Sequence, residues 1–338
     1  MSTTGSPPGR FSASRRSQHP ESAVSAHLRP PFVIDTDPGI DDALALLLAV
    51  GSPEARLLAV TTVFGNVGLE ITTTNARRLL ALAGRTDVPV AAGAAGPLVA
   101  APAPGSAGRH HADGLGGRAE ELPAPGPLHP LGAIALLAEL LRGAAEPVTL
   151  VSIGPLTNTA SLLASHSELT PKIARIVVMG GRLGSGIPEF NVRTDPEAAH
   201  RVLADESVPL TLVPLDLTVR CAVSGRWLAE LAAGGPRGAE LSAITEYNRA
   251  RFRAETGVDA APLHDAVAVL EAVRPGTLRT EPMRLAVLRA PDDQRGRLLK
   301  VTTGEAGTGS RTVDVAVDAD IPLLQAEILR RLRTLDAS

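Results

Sequence analysis

Four aspartates stand within eight residues near the start of the chain, at Asp35, Asp37, Asp41 and Asp42. Carboxylates at this density repel one another unless hydrogen-bond donors or a cation compensate their charge. Oxygen ligands of this kind are those that a hard divalent cation such as Ca²⁺ prefers. In a simpler interpretation, Asp41 and Asp42 cap a helix and Asp37 lies in a solvated turn. That interpretation suits one aspartate better than four, so the spacing favours a cation-binding or catalytic site.

The aspartates lie between a predicted strand and a predicted helix. The strand contains the β-branched residues Val33 and Ile34, and the helix is the apolar run from Ala43 to Val50. A continuous apolar run is typical of a buried parallel strand, and the Pro-Gly pair ends it abruptly. Ligands bind at the carboxyl ends of the strands in open α/β sheets. The sequence therefore predicts a ligand site at this edge.

Strand and helix patterns alternate over most of the remaining chain. Further buried strands are predicted at Arg56–Phe64, Val88–Ala92, Val148–Ile153, Ile173–Met179 and Pro209–Val213. This alternation predicts an α/β fold with an open, mostly parallel sheet and helices on both faces. Short strand-like runs within Leu278–Val317 predict a small antiparallel extension near the C-terminus, and Ile321–Thr334 is predicted as the last helix. The Gly- and Pro-rich segment Gly93–Pro130 is expected to be a long loop.

Two regions of the chain differ in composition. Residues 1–30 are rich in Ser, Pro, Gly and Arg without apolar periodicity, which predicts a disordered leader. We expect residues 31–338 to form a single catalytic domain.

Composition also narrows the class of protein. The net charge of −3 gives no basis for nucleic acid or an anionic membrane as a partner. No apolar run reaches the roughly 18 residues that span a membrane. The single cysteine, Cys221, excludes an internal disulfide and suits a reducing compartment. We therefore expect a cytoplasmic protein that acts on a small molecule.

Polar residues follow several of the predicted strands. They are Asn66, the turn after Ile153, the pair Glu189 and Asn191, and His264 with Asp265 before an apolar helix. In a parallel sheet these loops meet at one edge, so the side chains are expected to converge there. Taken alone, Asp265 is also explained as a helix N-cap.

Five segments occur in an order that resembles a known family. They are DTDPGIDD, TTVFGN, GPLTN, MGG followed by EFN, and HDAVAV. Together they resemble the nucleoside hydrolases of the inosine–uridine-preferring group, from about Phe32 to the C-terminal helix. The resemblance implies calcium-dependent hydrolysis of the N-glycosidic bond of ribonucleosides, giving ribose and free base for nucleoside salvage. It also implies a homodimer or homotetramer.

The resemblance further implies roles for individual residues. The Ca²⁺ ligands would be the carboxylates of Asp37, Asp42 and Asp265 and the backbone carbonyl of Ile153. Asp37 would also act as the general base, and His264 as the general acid for the leaving base.

The implied substrate contacts come from five residues. They are Asp41, Asn66, Glu189 and Asn191 on the ribose and His110 near the base. Tyr247 and Phe252 are candidate base-facing groups or packing residues of their helix. The preference among purine, pyrimidine and nicotinamide ribosides stays open.

The chain departs from the family pattern at two places. The family usually has Gly after the base-pocket histidine, and here His111 follows His110. The loop between Gly181 and Glu189 is shorter than usual and lacks the Asn that helps to bind the 5′-hydroxyl. Ser185 is the candidate replacement, and recognition of the 5′-hydroxyl stays open.

Two other functions compete with this interpretation. Aspartyl phosphatases also place Asp-x-Asp after a strand, but Gly39 stands where their nucleophile loop has Thr or Val. A non-catalytic relative would keep the calcium and ribose contacts and bind a riboside without hydrolysing it.

Overall fold

The computed structural model describes residues 1–2, 29–99, 107–184, 187–290, 293–301 and 310–337, so residues 3–28 of the predicted leader lie outside it. The strands in these ranges are β1 (Pro31–Thr36), β2 (Arg56–Thr62), β3 (Val90–Ala92), β4 (Val148–Ser152), β5 (Ile173–Met179), β6 (Leu210–Val213), β7 (Val223–Ser224), β8 (Ala260–Ala261), β9 (Leu278–Val287), β10 (Leu298–Lys300) and β11 (Arg311–Ala319). Nine of these described strands form one sheet, in the order β10-β9-β11-β6-β5-β4-β1-β2-β3. The short strands β7 and β8 pair with each other.

The helices of the same ranges are α1 (Ile40–Val50), α2 (Leu69–Leu82), α3 (Ala107–His110), α4 (Ala133–Gly143), α5 (Thr157–Ser165), α6 (Phe190–Thr194), α7 (Pro196–Leu203), α8 (Leu215–Thr218), α9 (Gly225–Ala232), α10 (Pro236–Thr256), α11 (His264–Val273) and α12 (Ile321–Thr334). Within the described part of the chain, no helix has the length and apolar composition that crossing a membrane requires.

The predicted sheet is confirmed. Neighbouring strands run parallel from β11 through β6, β5, β4, β1 and β2 to β3. The predicted antiparallel extension is formed by β9, which pairs with β11 and β10 and continues the main sheet at its edge. The prediction of a loop over Gly93–Pro130 was wrong in part, because α3 and a 3₁₀ turn at Ala119–Glu121 lie within it. Both are too short to show a helical period in the sequence.

Helices cover both faces of the sheet. Along β1, Phe32 and Ile34 pack into a cluster with α1, α2, α9, α10, α11 and α12. Val33 points to the opposite face and joins the cluster formed with α4, α5 and α7. Every residue from Ile40 to Ala49 is buried, so α1 is an internal helix. Its first turn, which carries two of the aspartates, is therefore held in place by the packing around it.

The last helix is attached to the rest of the fold through a buried arginine. Arg331 on α12 is 3% exposed. Its guanidinium donates to Ser52 Oγ at 2.9 Å, pairs with Glu54, and contacts Glu327 Oε1 at 2.7 Å. Hydrogen bonds from Arg330 and Arg331 lower the pKa of Glu327 from 4.5 to about 2. The Glu327 carboxylate therefore neutralises part of the positive charge that Arg331 on α12 buries against the turn before β2.

We expect Leu47→Ala to lower the free energy of unfolding by about 2–5 kcal/mol, because it removes a fully buried side chain from α1 and leaves a cavity. Leu323→Ala is the control, since Leu323 is 61% exposed and the change should cost less than about 0.5 kcal/mol. Urea unfolding of both variants measures the difference. Equal costs would contradict the assignment of α1 to the core.

The Glu327 carboxylate is expected to stabilise the fold only above acidic pH. Because its pKa is lower in the folded chain, its contribution is present above pH 4.5 and is lost as the pH falls towards 2. Glu327→Gln should therefore cost roughly 1–3 kcal/mol at pH 7, and the gap to the wild type should close in acid. Glu281→Gln, which changes an exposed carboxylate paired with Arg279, is the matched control. A cost that does not vary with pH would refute this account.

Candidate active site

The carboxyl ends of β1, β2, β4 and β5 carry most of the predicted residues. These four strands are consecutive in the sheet, in the order β5-β4-β1-β2, and run parallel, so the loops after them meet at one edge. A cleft of about 390 Å³ opens there. Eight of the ten predicted site residues line it, namely Asp41, Asn66, His110, Ile153, Glu189, Asn191, His264 and Asp265. The cleft lining does not include Asp37 and Asp42, which are each hydrogen-bonded to Asn66.

Hydrogen bonds fix the two inner aspartates. Asp42 accepts from the Thr36 hydroxyl at 2.5 Å, the Gly39 amide at 2.9 Å and the Asn66 side-chain amide at 3.2 Å. Asp37 Oδ2 accepts from the Asn66 backbone amide at 2.7 Å. Residues of β1, the turn after it and the loop after β2 therefore hold these carboxylates in place.

Three carboxylates come closest to one another. One oxygen each from Asp41, Asp42 and Asp265 lie within 4.8 Å of one another, and all three residues are buried. Among the described residues, Asp41 Oδ1 is a buried oxygen without a hydrogen-bond partner. Such an arrangement is costly for the charged forms unless a cation is present, so this cluster could hold a metal ion.

The same repulsion raises the pKa values of three buried aspartates. Burial first, and then the charges of Asp41, Asp42 and Asp37, raise the pKa of Asp265 well above its ordinary value. Burial and the Asp41 charge raise the pKa of Asp42 to about 7. Burial and the Asp42 charge raise the pKa of Asp37 well above its ordinary value. A bound cation would reverse these shifts by favouring the charged forms.

The predicted ligand set and the observed cluster overlap without being identical. Asp42 and Asp265 belong to both, whereas the cluster contains Asp41 in place of Asp37. Asp37 is enclosed by backbone, since a Cβ at Gly154 would lie 2.7 Å from its Oδ1 and one at Gly65 would overlap its Oδ2. The Ile153 carbonyl accepts from the Asn191 amide at 2.9 Å. The predicted ligand set therefore stays a prediction.

Glu189 and Asn191 are fixed by the backbone around them. Glu189 caps α6 and accepts from the amides of Asn191, Val192 and Gly181 at 2.9, 3.1 and 2.8 Å. Burial raises its pKa despite these bonds. The Asn191 amide donates to the carbonyls of Ile153 and Met179. These contacts tie the loops after β4 and β5 together. Ser185 lies outside the described residues, and the predicted ribose contacts stay predictions.

Two histidines face the cleft, His110, which is buried, and His264, which is partly buried. His110 Nδ1 accepts from the Ile40 amide at 3.0 Å and lies 3.8 Å from Asp41 Oδ1. His264 Nδ1 is 2.8 Å from the Thr218 hydroxyl. Burial lowers the pKa of both imidazoles below 6.5, so both are uncharged near neutral pH. Since Nδ1 of His110 is an acceptor, its proton is on Nε2.

Helix α10 supplies the wall opposite the sheet edge. Of the two candidate base-facing residues, Phe252 lines the cleft. Tyr247 instead packs edge-on against His111, with ring centroids 5.6 Å apart, and donates to the Gly108 carbonyl. His111 has a φ of 67°, a conformation that favours glycine.

Sequence reasoning missed several residues of the cleft. They are Asn248, Arg251 and Glu255 on α10, together with Arg109 and Arg182. The spacing of Asn248, Phe252 and Glu255 places them on one helical face, which was the available signal.

The sequence model for the inosine-uridine preferring nucleoside hydrolase family matches residues 32–326. The chain belongs to this family. It is therefore an enzyme, a ribonucleoside hydrolase, and the aspartyl phosphatase interpretation is wrong.

Individual relatives agree with this assignment. The pyrimidine-specific ribonucleoside hydrolase RihA of Escherichia coli O9:H4 (strain HS) is 39% identical over 256 residues, covering 74% of this chain and 81% of that protein. The purine-preferring ribonucleoside hydrolase from Gardnerella vaginalis superposes with a TM-score of 0.83 at 26% identity, over 90% of this chain and 99% of that one. An inosine-guanosine nucleoside hydrolase superposes with a TM-score of 0.78 at 29% identity, over 91% and 99%.

Divalent cations are expected to raise the melting temperature of this hydrolase, because they relieve the repulsion among the buried carboxylates. At a Ca²⁺ concentration 100 times the dissociation constant, linkage gives about 2.7 kcal/mol of stabilisation. Asp265→Asn should be at least as stable as the wild type in EDTA, since it removes a repelling charge, and should lose most of the Ca²⁺ effect. Asp87→Asn, at an exposed carboxylate, should keep it. Thermal unfolding with Ca²⁺ and with EDTA tests this, and an unchanged shift in Asp265→Asn would contradict it.

Proposed function

We propose that this hydrolase cleaves the N-glycosidic bond of ribonucleosides in a calcium-dependent reaction that gives ribose and free base. The observation that carries the proposal is the buried cluster of Asp41, Asp42 and Asp265 beside the cleft, with one Asp41 oxygen lacking a hydrogen-bond donor. Oxygen donors of this kind suit Ca²⁺. When bound, Ca²⁺ would neutralise this repulsion and lower the pKa of a coordinated water molecule.

The proposed Ca²⁺ ligands are the carboxylates of Asp37, Asp42 and Asp265 and the carbonyl of Ile153. Ca²⁺ takes about 6–8 oxygen ligands, so these four groups leave positions for water and sugar hydroxyls. The proximity of Asp41 to Asp42 and Asp265 supports a role for its carboxylate at the same sugar hydroxyls.

The proposed general base is Asp37, which accepts a proton from the attacking water. Its position supports this role, because Asp37 is buried beside the carboxylate cluster and the Asn66 amide holds its Oδ2 at 2.7 Å. Asn66, Glu189 and Asn191 orient the ribose, and the nearby carboxylates favour the positive charge that develops on the sugar.

The proposed general acid is His264, which donates a proton to the leaving base. It reacts as the imidazolium, which gives its Nε2 proton to the base and returns to the neutral imidazole, while Nδ1 lies 2.8 Å from the Thr218 hydroxyl. The proposed role of His110 is to contact the base through its own Nε2 proton, since its Nδ1 is engaged by Ile40.

We propose pyrimidine ribonucleosides as the preferred substrates. The support is that the pyrimidine-specific relative is 39% identical, against 26% for the purine-preferring one. We also propose that residues 31–338 act as one catalytic domain, in the cytoplasm, as a homodimer or homotetramer. Sedimentation equilibrium measures the oligomeric state directly.

The decisive measurement is the release of ribose as reducing sugar from uridine, cytidine, inosine, adenosine and nicotinamide riboside, each with Ca²⁺ and with EDTA. We expect release that depends on Ca²⁺ and is fastest for uridine or cytidine. Asp37→Ala should lower kcat by about 10²–10⁴-fold, because it removes the general base. His129→Ala, outside the cleft, is the control.

A substrate whose leaving group needs no proton distinguishes the proposed role of His264 as general acid from that of Asp37 as general base. His264→Ala should lower kcat on uridine by a similar factor but leave hydrolysis of p-nitrophenyl riboside nearly unchanged, because nitrophenolate leaves without a proton. Undiminished base release by Asp37→Ala would disprove the mechanism. Tight riboside binding without any release would revive the non-catalytic interpretation.

A further inference from the structure

A buried amide joins two loops of the site without lining the cleft. Asn75 lies on α2 and is 1% exposed. Its Nδ2 donates to the Pro38 carbonyl at 3.1 Å and to the Asp113 carbonyl at 2.9 Å. Pro38 belongs to the turn that carries the aspartates, and Asp113 belongs to the loop after His110. One amino group therefore bridges the aspartate turn after β1 and the loop after α3, two segments that are far apart in the sequence.

The loop that contains Asp113 is rigid in its own right. The Asp113 carboxylate accepts from the amides of Leu115, Gly117 and Ala119 at 3.0, 2.9 and 2.9 Å. The Gly116 amide donates to the His110 carbonyl at 3.0 Å. These bonds link the His110 backbone to the segment that the Asp113 carboxylate organises, so a contact that holds the Asp113 carbonyl also constrains the backbone from which the His110 ring extends.

Close packing leaves little freedom at this junction. Gly114 has a φ of 79°, and a Cβ there would lie 2.7 Å from Asn75 Nδ2 and 3.1 Å from the Pro38 carbonyl. Helix α2, the aspartate turn and the histidine loop thus meet where a single methyl group would not fit. On the other side of the loop, the contacts of Tyr247 and Arg251 with the Gly108 carbonyl are exposed to solvent. The buried attachments of the loop to the aspartate turn and α1 are therefore the Asn75 bridge and the hydrogen bond from the Ile40 amide to His110 Nδ1.

We propose that Asn75 is a positioning residue for the hydrolytic reaction, which sets the position of His110 relative to the aspartate turn through its two hydrogen bonds. The inference rests on the proposed function, because it assumes that His110 contacts the substrate. Misplacement of a substrate-positioning group by about 1 Å can cost 10²-fold in rate. Loss of the amide should therefore impair catalysis through His110, although Asn75 itself touches neither substrate nor cation.

The test is a double-mutant cycle on kcat/KM for uridine hydrolysis in the presence of Ca²⁺. Asn75→Ala is expected to lower kcat/KM by about 10- to 100-fold in the wild-type background. In the His110→Ala background, the same change should alter kcat/KM by less than about twofold, because the residue that Asn75 positions is absent. Thr74→Ala is the matched control on the same helix, since its hydroxyl bonds to Glu70 of α2. It should leave kcat/KM unchanged in both backgrounds.

A purely structural role gives a different result. In that case Asn75→Ala would lower kcat/KM by the same factor with or without His110, and this outcome would overturn the proposal. If Asn75→Ala does not fold, Gly114→Ala disturbs the same junction from the loop and enters the cycle in its place, with the same expected dependence on His110.

Amide hydrogen exchange separates this inference from the proposed function. If the wild type hydrolyses no riboside, the proposed function fails, but hydrogen exchange still tests whether Asn75 holds the loop after His110 in place. Asn75→Ala should exchange faster than Thr74→Ala at the amides of Leu115, Gly116 and Gly117, while amides of β4 and β5 stay protected. Unchanged protection of the loop in Asn75→Ala would show that Asn75 does not hold the loop in place, whether or not the enzyme is active.

Discussion

Electrostatic repulsion among buried carboxylates is the constraint on which the site depends. Two unit charges about 4 Å apart repel by about 4 kcal/mol at an effective dielectric constant of ~20. The turn after β1 brings Asp37, Asp41 and Asp42 together, and α11 adds Asp265 from a distant part of the chain. Thr36, Gly39 and Asn66 donate hydrogen bonds that offset part of the cost for Asp37 and Asp42. Asp41 lacks that compensation at Oδ1, which is why a cation is the natural complement of this cluster.

The fold keeps the carboxylates together because the surrounding helix and backbone leave them no other position. Helix α1 is buried on all sides, so its first turn cannot swing outwards. Backbone at Gly65 and Gly154 closes around Asp37, and a side chain at either position would occupy the space of the carboxylate. Steric crowding therefore explains why glycine occurs at Gly65 in the TTVFGN segment and at Gly154 in the GPLTN segment, whatever turn conformation they adopt. Rigidity of this kind keeps the carboxylates close together, and the remaining repulsion is expressed in the raised pKa values of Asp37, Asp42 and Asp265.

Most of the fold was predictable because its elements have a clear period or a clear end. Ile173–Met179 and Ile321–Thr334 were predicted with the bounds that the structure has, since Pro171 and Gly180 flank the strand and Pro322 lies in the first turn of the helix. Helix α3 was missed because four residues carry no period. The identity of the three closest carboxylates, with Asp41 in place of Asp37, depends on side-chain directions across α1 and α11, which spacing does not encode. Asn75 was missed because a polar residue in a helix gives no signal of the loops that it joins.

Charges of both signs line the cleft. The carboxylates of Asp41, Glu189 and Asp265 lie at the sheet edge with Arg182 and Arg193, whereas α3 and α10 contribute Arg109 and Arg251. Glu255 pairs with Arg109 and Arg251 and moderates their charge. Cleavage of an N-glycosidic bond leaves positive charge on the sugar and negative charge on the base. A ribose seated beside Asp41 and Asp265, with its base towards Arg251 on α10, would have the developing positive charge beside carboxylates and the developing negative charge beside a guanidinium. Both histidines are uncharged near neutral pH in the resting site, so they place no positive charge beside the sugar, and the lowered pKa makes the imidazolium of His264 a stronger acid once it is protonated.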